Sequence, residues 1–368
     1  MRSSMRLKLP PEAIASRDVL TSAPSSLRPK QIREPSLRLL RPALMWAELE
    51  HCRKLADWDE TSFFLLLCTS HKPIAFETVQ ASLSTRTAEF ANLVGHVGML
   101  DRKRLGLIIP DVGVEQLCDI FDCVRNSLDR NRFEFKVLTY PMADVDDQWG
   151  PKRSGRVGRL TSESMQSLFC LPTPYGIRAL DIAISAIGLL CLLPVLLMAA
   201  ILIRCSTSGP IFFKQRRTGS GGIPFNIYKF RTMVVDAEQQ QSKLRHLNEQ
   251  DGPAFKMVAD PRVTAIGRIL RFTCIDELPQ LWNVLQGEMS LVGPRPLPCS
   301  EADACRWWQR RRLDVTPGIT CTWQARGRSM LSFDEWMRMD LDYVRRRSLG
   351  FNFSILLETL AFLIWRRS

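Results

Sequence analysis

The chain has 368 residues, enough for two or three domains, and 50 Lys and Arg against 38 Asp and Glu give it a formal net charge of +12 and a pI near 9.4. Such an excess suits nucleic acid, anionic lipid or phosphorylated substrates, but no zinc finger, helix-turn-helix or aromatic-basic RNA motif accompanies it, which excludes nucleic acid as the expected partner. Four histidines exclude a His-rich metal centre, and eleven cysteines without a repeated pair spacing read as reduced, partly buried thiols of a cytoplasmic chain.

Residues 1–45 are rich in Pro, Ser and Arg and read as a flexible region. The first ten residues carry positive charge but no apolar core, so they do not read as a secretory signal. Residues 46–142 read as a cytosolic α/β domain. Ser62–Cys68 is an apolar strand, Phe76–Val94 a helix, and Val97–Leu100 and Leu105–Ile109 form a hairpin about Asp101-Arg102-Lys103-Arg104. Gly113–Leu128 repeats apolar residues at helical spacing, and Phe133–Tyr140 is a further strand. The order β-α-β-β-α-β is ferredoxin-like. It resembles the core of the diguanylate-cyclase-like domains, but Gly98-Met99-Leu100-Asp101-Arg102 stands where that family carries paired glycines and an acidic pair. The resemblance implies a degenerate, noncatalytic unit with a regulatory or oligomerising role.

Residues 143–173 read as a linker. Ile182–Ile203 then runs 22 residues without a formal charge, long enough as one helix to cross a bilayer at about 1.5 Å per residue. Pro194 lies near its middle, where proline removes a backbone hydrogen bond and bends the axis. Lys152, Arg153, Arg156, Arg159 and Arg178 precede the segment, and Arg204, Lys214, Arg216 and Arg217 follow it. Basic residues mark the cytoplasmic side. Their presence on both sides predicts a re-entrant hairpin kinked at Pro194, ahead of an ordinary span or a buried soluble helix.

Beyond it, Ile223–Tyr228 is a short strand leading into Lys229-Phe230-Arg231-Thr232-Met233, whose basic residues can meet a phosphate. Glu238–Asn248 reads as an exposed helix. Asp260-Pro261-Arg262 is a turn into Ala265–Arg271, where Arg268 and Arg271 share a helical face. The pair Asp276-Glu277 follows, stiffened by Leu278-Pro279 and followed by Gln280. A carboxylate can attack phosphorus and form an acyl phosphate, while a second can hold magnesium against a diphosphate. Asn283 and Gly293-Pro294-Arg295-Pro296 form a rigid candidate for anion binding. Thr316-Pro317-Gly318-Ile319-Thr320-Cys321, followed by Gln324 and Gly327-Arg328-Ser329, is another. Phe333–Val344 reads as a helix and Phe351–Trp365 as an interfacial one. Trp307, Trp308, Trp323, Trp336 and Trp365 suit either a bilayer interface or ordinary packing.

These motifs, in this order over residues 174–366, resemble the bacterial sugar transferase family, the monotopic polyprenyl-phosphate phosphoglycosyl transferases. They include Gly209-Pro210-Ile211-Phe212-Phe213-Lys214-Gln215, Asp276-Glu277-Leu278-Pro279-Gln280 and Pro317-Gly318-Ile319-Thr320. The resemblance implies a mainly helical transferase domain over 174–368, with the re-entrant helix at 182–203. It would move a sugar 1-phosphate from a UDP-sugar to undecaprenyl phosphate at the cytoplasmic face of the bacterial inner membrane, with Mg2+ as cofactor. Asp276 matches the nucleophile and Glu277 the metal-binding glutamate. Lys229, Arg231, Arg262, Arg271, Gln280, Arg295 and Arg328 are the expected substrate-binding residues. A homodimer or glycan-assembly proteins are the further partners. Cys274, Cys321 and Asn352 depart from residues common in the family. A membrane scaffold for glycan assembly and a different lipid-phosphate-processing enzyme are the competing readings.

Overall fold

A computed structural model describes residues 39–77, 79, 94–129, 131–140, 162–326 and 331–365, and the chain divides into two compact units, Met1–Leu168 and Phe169–Ser368.

In the first unit a sheet runs in the order β1-β3-β4-β2-β5-β6. Its strands are β1 (Leu39–Leu40), β2 (Phe63–Ser70), β3 (His96–Met99), β4 (Arg104–Pro110), β5 (Phe133–Tyr140) and β6 (Ser162–Ser164). The continuous apolar run of β2 is that of a strand buried on both faces. It pairs antiparallel with β4, Leu66 opposite Leu107, and with β5, Leu66 opposite Val137. Leu117, Ile120 and Val124 of helix α2 (Val114–Ser127) pack on Phe64, Leu66 and Cys68. Most of the helix expected over Phe76–Val94 lies outside the described residues.

Two departures from the sequence reading concern the borders of this unit. Residues 39–45, assigned to the flexible N-terminal region, are ordered: β1 pairs parallel with β3, and helix α1 (Pro42–Asp59) begins on a proline whose missing N–H needs no partner in a first turn. Trp46 Nε1 donates to the Leu100 carbonyl at 3.1 Å and holds α1 to the sheet. Within the expected linker, β6 adds to β5 in parallel and Met165–Phe169 forms a buried 3-10 turn.

In the second unit, helices α3 (Tyr175–Cys191) and α4 (Leu193–Ser206) meet at Leu192 with a bend of 60°. Among the described residues no single helix is long and apolar enough to cross a membrane, but the bent pair is so when taken together. Pro194 is not mid-helix. It sits in the first turn of α4, where its absent N–H leaves no bond broken, so the bend lies at the junction before it. Ile187, Leu190, Leu197, Met198 and Ile201 are exposed along the pair. The inner face of α3 is anchored by polar contacts. Asp181 accepts from Ser290 Oγ at 2.8 Å and from the Leu291 N–H at 3.0 Å, and Arg178 donates to the carbonyls of Val284 and Leu285.

Below the bend lies an antiparallel pair, β7 (Phe212–Thr218) and β8 (Pro224–Phe230). Helices α5 (Ala237–Leu244), α6 (Ala265–Thr273) and α7 (Gln280–Gln286) follow, then β9 (Ser290–Val292), α8 (Cys299–Asp303), β10 (Gly318–Thr320), α9 (Thr322–Ala325), α10 (Phe333–Arg346) and α11 (Leu349–Trp365). The parallel pairing of β9 with β10 joins two of the Gly-Pro motifs. The Gly293 N–H donates to the Thr320 carbonyl and the Gly318 N–H to the Pro294 carbonyl, each at 3.0 Å. A Cβ on Gly318 would lie 2.0 Å from Gly293 N. The Pro317-Gly318-Ile319-Thr320 motif, expected to bind an anion, thus serves packing. Trp323 and Trp336 stack on each other at 4.5 Å, and Trp336 is buried, so these two belong to the protein interior.

Because the Gly293–Gly318 contact is backbone on backbone, no rotamer can relieve an added methyl. Gly318→Ala is expected to destabilise the second unit by about 4 kcal/mol or more. Gly350→Ala, whose Cβ meets nothing within 4 Å on α11, should be neutral or slightly stabilising. Thermal unfolding of the two variants in the same detergent checks the contrast.

Candidate active site

Thr264 caps α6 by accepting the Gly267 N–H at 3.0 Å, and Gly267 lies so close to the Thr232 carbonyl that a Cβ would approach it to 2.0 Å. The start of α6 is therefore fixed against the end of β8. The helix stops at Cys274, which adopts a left-handed φ of 57°. That conformation costs a non-glycine residue about 1–2 kcal/mol. It redirects the chain into the 3-10 turn Ile275–Glu277, from which α7 departs. In such a turn successive side chains point about 120° apart, so the neighbouring carboxylates meet different surroundings.

Glu277 Oε1 accepts from Lys229 Nζ at 2.6 Å and from Arg295 Nη2 at 2.8 Å. Burial opposes its charge, but Arg295 and Lys229 outweigh it and hold the carboxyl well below the ordinary range. Arg295 is correspondingly pushed up by Glu277, while burial pushes Lys229 down against the pull of Glu277. Asp276, 8% exposed, accepts no hydrogen bond among the described residues. Burial and the charge of Glu277 push its pKa up to about 6, with Lys229, Arg271 and Arg295 pulling the other way. One carboxylate is clamped and ionised. The other is unencumbered and titrates near neutrality.

Four elements hold this arrangement. Lys229 lies within β8 itself, not after it, and Asn283 of α7 pins that strand. Asn283 Oδ1 accepts the Tyr228 N–H at 3.1 Å, and Nδ2 donates to the Asn226 carbonyl and to Glu288 Oε2, each at 2.7 Å. Asn283, expected as part of an anion site, is fully buried and structural. Arg295 is set by the Gly293–Gly318 contact and by Arg312, which donates to the Arg295 carbonyl and forms a buried ion pair with Asp340 at 2.7 Å.

The expected binding residues divide. Lys229, Arg271 and Arg295 surround the carboxylate pair, with Arg271 Nε donating to Thr232 Oγ1 at 2.9 Å. Gln280 is 2% exposed and its Nε2 has no partner among the described residues, an unspent donor four residues beyond Asp276. Arg231 turns away, donating to the carbonyl and hydroxyl of Thr207 at the end of α4. Arg262 is spent on a two-pronged contact with Asp260 at 2.6 and 2.9 Å and on the Ala237 carbonyl. Both are structural clamps in this geometry. Arg328 lies outside the described residues.

One neighbour was missed by the sequence reading. Arg217 on β7 lies among Arg295, Glu301 and Glu277. The period-two alternation of Phe213, Gln215 and Arg217 places it on the less exposed face of β7, whereas Arg216 is exposed. That alternation was the available signal.

No group of three or more His, Cys, Asp or Glu side chains suited to a metal occurs among the described residues. The local donor set fits a magnesium ion that shares a ligand's phosphates, since such an ion needs only one or two carboxylates. Glu277 Oε1 is taken by cations, and Oε2 is the oxygen left for a metal.

The model for Bacterial sugar transferase matches residues 174–366, more than half of the chain. The chain belongs to the bacterial sugar transferase family. A galactosyl transferase, CpsE, of Streptococcus agalactiae is 45% identical over 184 residues, covering 50% of this chain and 41% of its own. A UDP-glucose:undecaprenyl-phosphate glucose-1-phosphate transferase of Caulobacter vibrioides is 40% identical over 200 residues, 51% of this chain and 69% of its own. The exopolysaccharide production protein ExoY of Sinorhizobium fredii is 36% identical over 191 residues, 50% of this chain and 83% of its own. The chain thus spans less than half of the streptococcal relative, and the matched half is the sugar transferase unit. Among solved structures, a DGC protein from Thermotoga maritima covers 31% of this chain and 93% of its own, with 15% identity and a TM-score of 0.23, too low to establish a shared fold.

The elevated Asp276 pKa carries a stability consequence in this sugar transferase unit. The folded state holds that proton more tightly than the unfolded chain, whose carboxyl titrates near 3.8. Stability therefore falls as pH rises from about 4 to about 6, and above that window ionised Asp276 costs the fold up to about 3 kcal/mol. Asp276→Asn is expected to raise the melting temperature at pH 7.5 and to lose most of that advantage at pH 4. Paired thermal scans at the two pH values check it.

Proposed function

We propose that the chain transfers a sugar 1-phosphate from a UDP-sugar to undecaprenyl phosphate through a covalent intermediate on Asp276, initiating exopolysaccharide or related glycan synthesis. The observation that carries this reading is the division of labour in the carboxylate pair: Asp276 is free of hydrogen bonds while Glu277 is clamped by Lys229 and Arg295. The names of several relatives, which specify undecaprenyl-phosphate sugar phosphotransferases, support the substrate class.

In the first step an Asp276 carboxylate oxygen attacks the phosphorus that bears the sugar. The bond from that phosphorus to the bridging oxygen of the diphosphate breaks, and the electron pair leaves with UMP. In the second, a phosphate oxygen of undecaprenyl phosphate attacks the same phosphorus. The acyl-phosphate bond breaks and the carboxylate is regenerated, with lipid diphosphate-sugar as product. Above about pH 6 Asp276 is ionised and able to attack. Lys229, Arg217, Arg271 and Arg295 exceed the Asp276–Glu277 pair in charge, and the surplus complements the dianionic diphosphate. Glu277 would hold magnesium, which would supply Lewis-acid charge neutralisation.

The bent α3–α4 pair supports a re-entrant anchor that enters and leaves through the cytoplasmic leaflet of the bacterial inner membrane. Its apolar outer surface would face lipid while Asp181 and Arg178 hold its inner face to the protein. The acceptor's phosphate and the soluble nucleotide would then meet at the membrane surface.

Purified protein given magnesium, undecaprenyl phosphate and a panel of radiolabelled UDP-sugars is expected to release UMP and label a lipid diphosphate. Failure with every donor, from folded protein, rejects the reading. Asp276→Asn should abolish the phosphosugar adduct detected by intact mass, and a persistent adduct would reject Asp276 as nucleophile. A membrane scaffold would keep its cellular role in an Asp276→Asn, Glu277→Gln double variant, whereas loss of glycan is expected.

A further inference from the structure

Arg217 is the cation of the cluster to which the catalytic reading gives charge but no individual contact. It is half-buried, and one terminal nitrogen, Nη1, donates to the Pro296 carbonyl at 2.8 Å. The same stretch of chain is fixed by the Thr218 N–H donating to the Leu297 carbonyl and by a bridge from Arg217 to Pro298. The guanidinium is thus tied to the loop that presents Arg295. Its Nε is buried with no hydrogen-bond partner, and Nη2 donates no hydrogen bond either, among the described residues. The unspent Nε–Nη2 edge is the side of a guanidinium that takes a phosphate with two parallel bonds.

Electrostatics make this vacancy costly. Burial and the positive charge of Arg295 push Arg217 down to about 10, with Glu301 and Glu277 only partly compensating. A guanidinium does not shed its proton under ordinary conditions, so a bound anion would offset that cost. Among the described residues no carboxylate is hydrogen-bonded to the edge. Glu301 has an oxygen directed to the Phe255 N–H at 3.4 Å, and Glu277 is engaged by Lys229 and Arg295.

Position indicates which phosphate. The cations acting most strongly on Asp276 are Lys229, Arg271 and Arg295, whereas Arg217 responds to Arg295, Glu301 and Glu277. Tied to the carbonyl of Pro296, one residue past Arg295, Arg217 is assigned the next step along a diphosphate whose transferred phosphorus is at Asp276.

We propose that Arg217 binds the phosphate of the nucleotide-sugar that departs as UMP, holding it by the Nε–Nη2 edge while Lys229 and Arg295 serve the transferred phosphate. The proposal rests on the donor reading above and adds a nucleotide-binding residue to it. No bond to Arg217 forms or breaks. It stabilises the negative charge that accumulates on the leaving phosphate.

The test uses the full chain in detergent with UMP as the probe. Arg217→Gln and Arg217→Lys are compared with wild type for UMP affinity by calorimetry, and for UMP inhibition and the KM of each substrate during turnover. Loss of a charged two-pronged contact should weaken UMP roughly 10- to 100-fold in Arg217→Gln. Arg217→Lys should recover part of that. The KM for undecaprenyl phosphate should not change. Unchanged UMP affinity in either folded variant would overturn the proposal, as would a rise confined to the KM for undecaprenyl phosphate. Calorimetry needs no turnover, so UMP binding that depends on Arg217 would stand even if no UDP-sugar proved to be a donor. Should Arg217→Gln fail to fold, Arg217→Lys, which keeps the charge and loses the fork, decides the question alone.

Discussion

The Glu277 carboxylate is the point on which the second unit turns. It takes Lys229 from β8 and Arg295 from the loop after β9 on a single oxygen, so two cations from distant parts of the chain are held within reach of Asp276. Charges so placed would repel one another without it. Removing one member of a buried ionic group commonly costs about 3–5 kcal/mol because its partners stay desolvated. The clamp also fixes the electrostatics of its neighbour: an ionised Glu277 is the main charge raising Asp276, after burial. One carboxylate thereby tunes the other.

Around that clamp the fold spends its polar groups on position. Asp340 of α10 holds Arg312, and Arg312 donates to the Arg295 carbonyl, so a buried ion pair orients the loop that carries Arg295. Asn283 stitches α7 to β8 and thereby places Asp276, Glu277 and Lys229 on elements that cannot drift apart. Asp181 and Arg178 extend the same network to the bent helix pair. The bent pair and the carboxylate pair thus share their supports in α7 and β9.

Much of this was legible in the sequence, for identifiable reasons. The Asp276-Glu277 pair, the basic residues of β8 and the uncharged segment about Pro194 announce themselves by composition and spacing. What stayed hidden depends on contacts between residues far apart in the chain. Nothing local distinguishes Arg262, spent on Asp260, from Arg295, aimed at Glu277. Gly318 read as a loop that could approach an anion, yet its missing Cβ makes room for Gly293. Pro194 correctly marked a bend, but the break is at Leu192 because proline is tolerated in the first turn of the second helix. Residues 39–45 looked disordered by composition, yet Leu39 and Leu40 pair with residues of β3 58 positions away and Pro42 begins α1.

Cys274 shows how local strain and chemistry are joined. A left-handed residue that is not glycine ends α6 one step before the reactive turn. In the turn that follows, Asp276 and Glu277 point about 120° apart, and Glu277 takes two cations while Asp276 accepts no hydrogen bond among the described residues. The kink separates their surroundings within a single turn. Its cost of about 1–2 kcal/mol, together with the burden of ionising Asp276, is small against the packing of α6 on Thr232 and the clamp at Glu277. The fold therefore holds its least comfortable backbone and its least comfortable carboxylate side by side, and the contacts that stabilise both lie in β8 and the Arg295 loop.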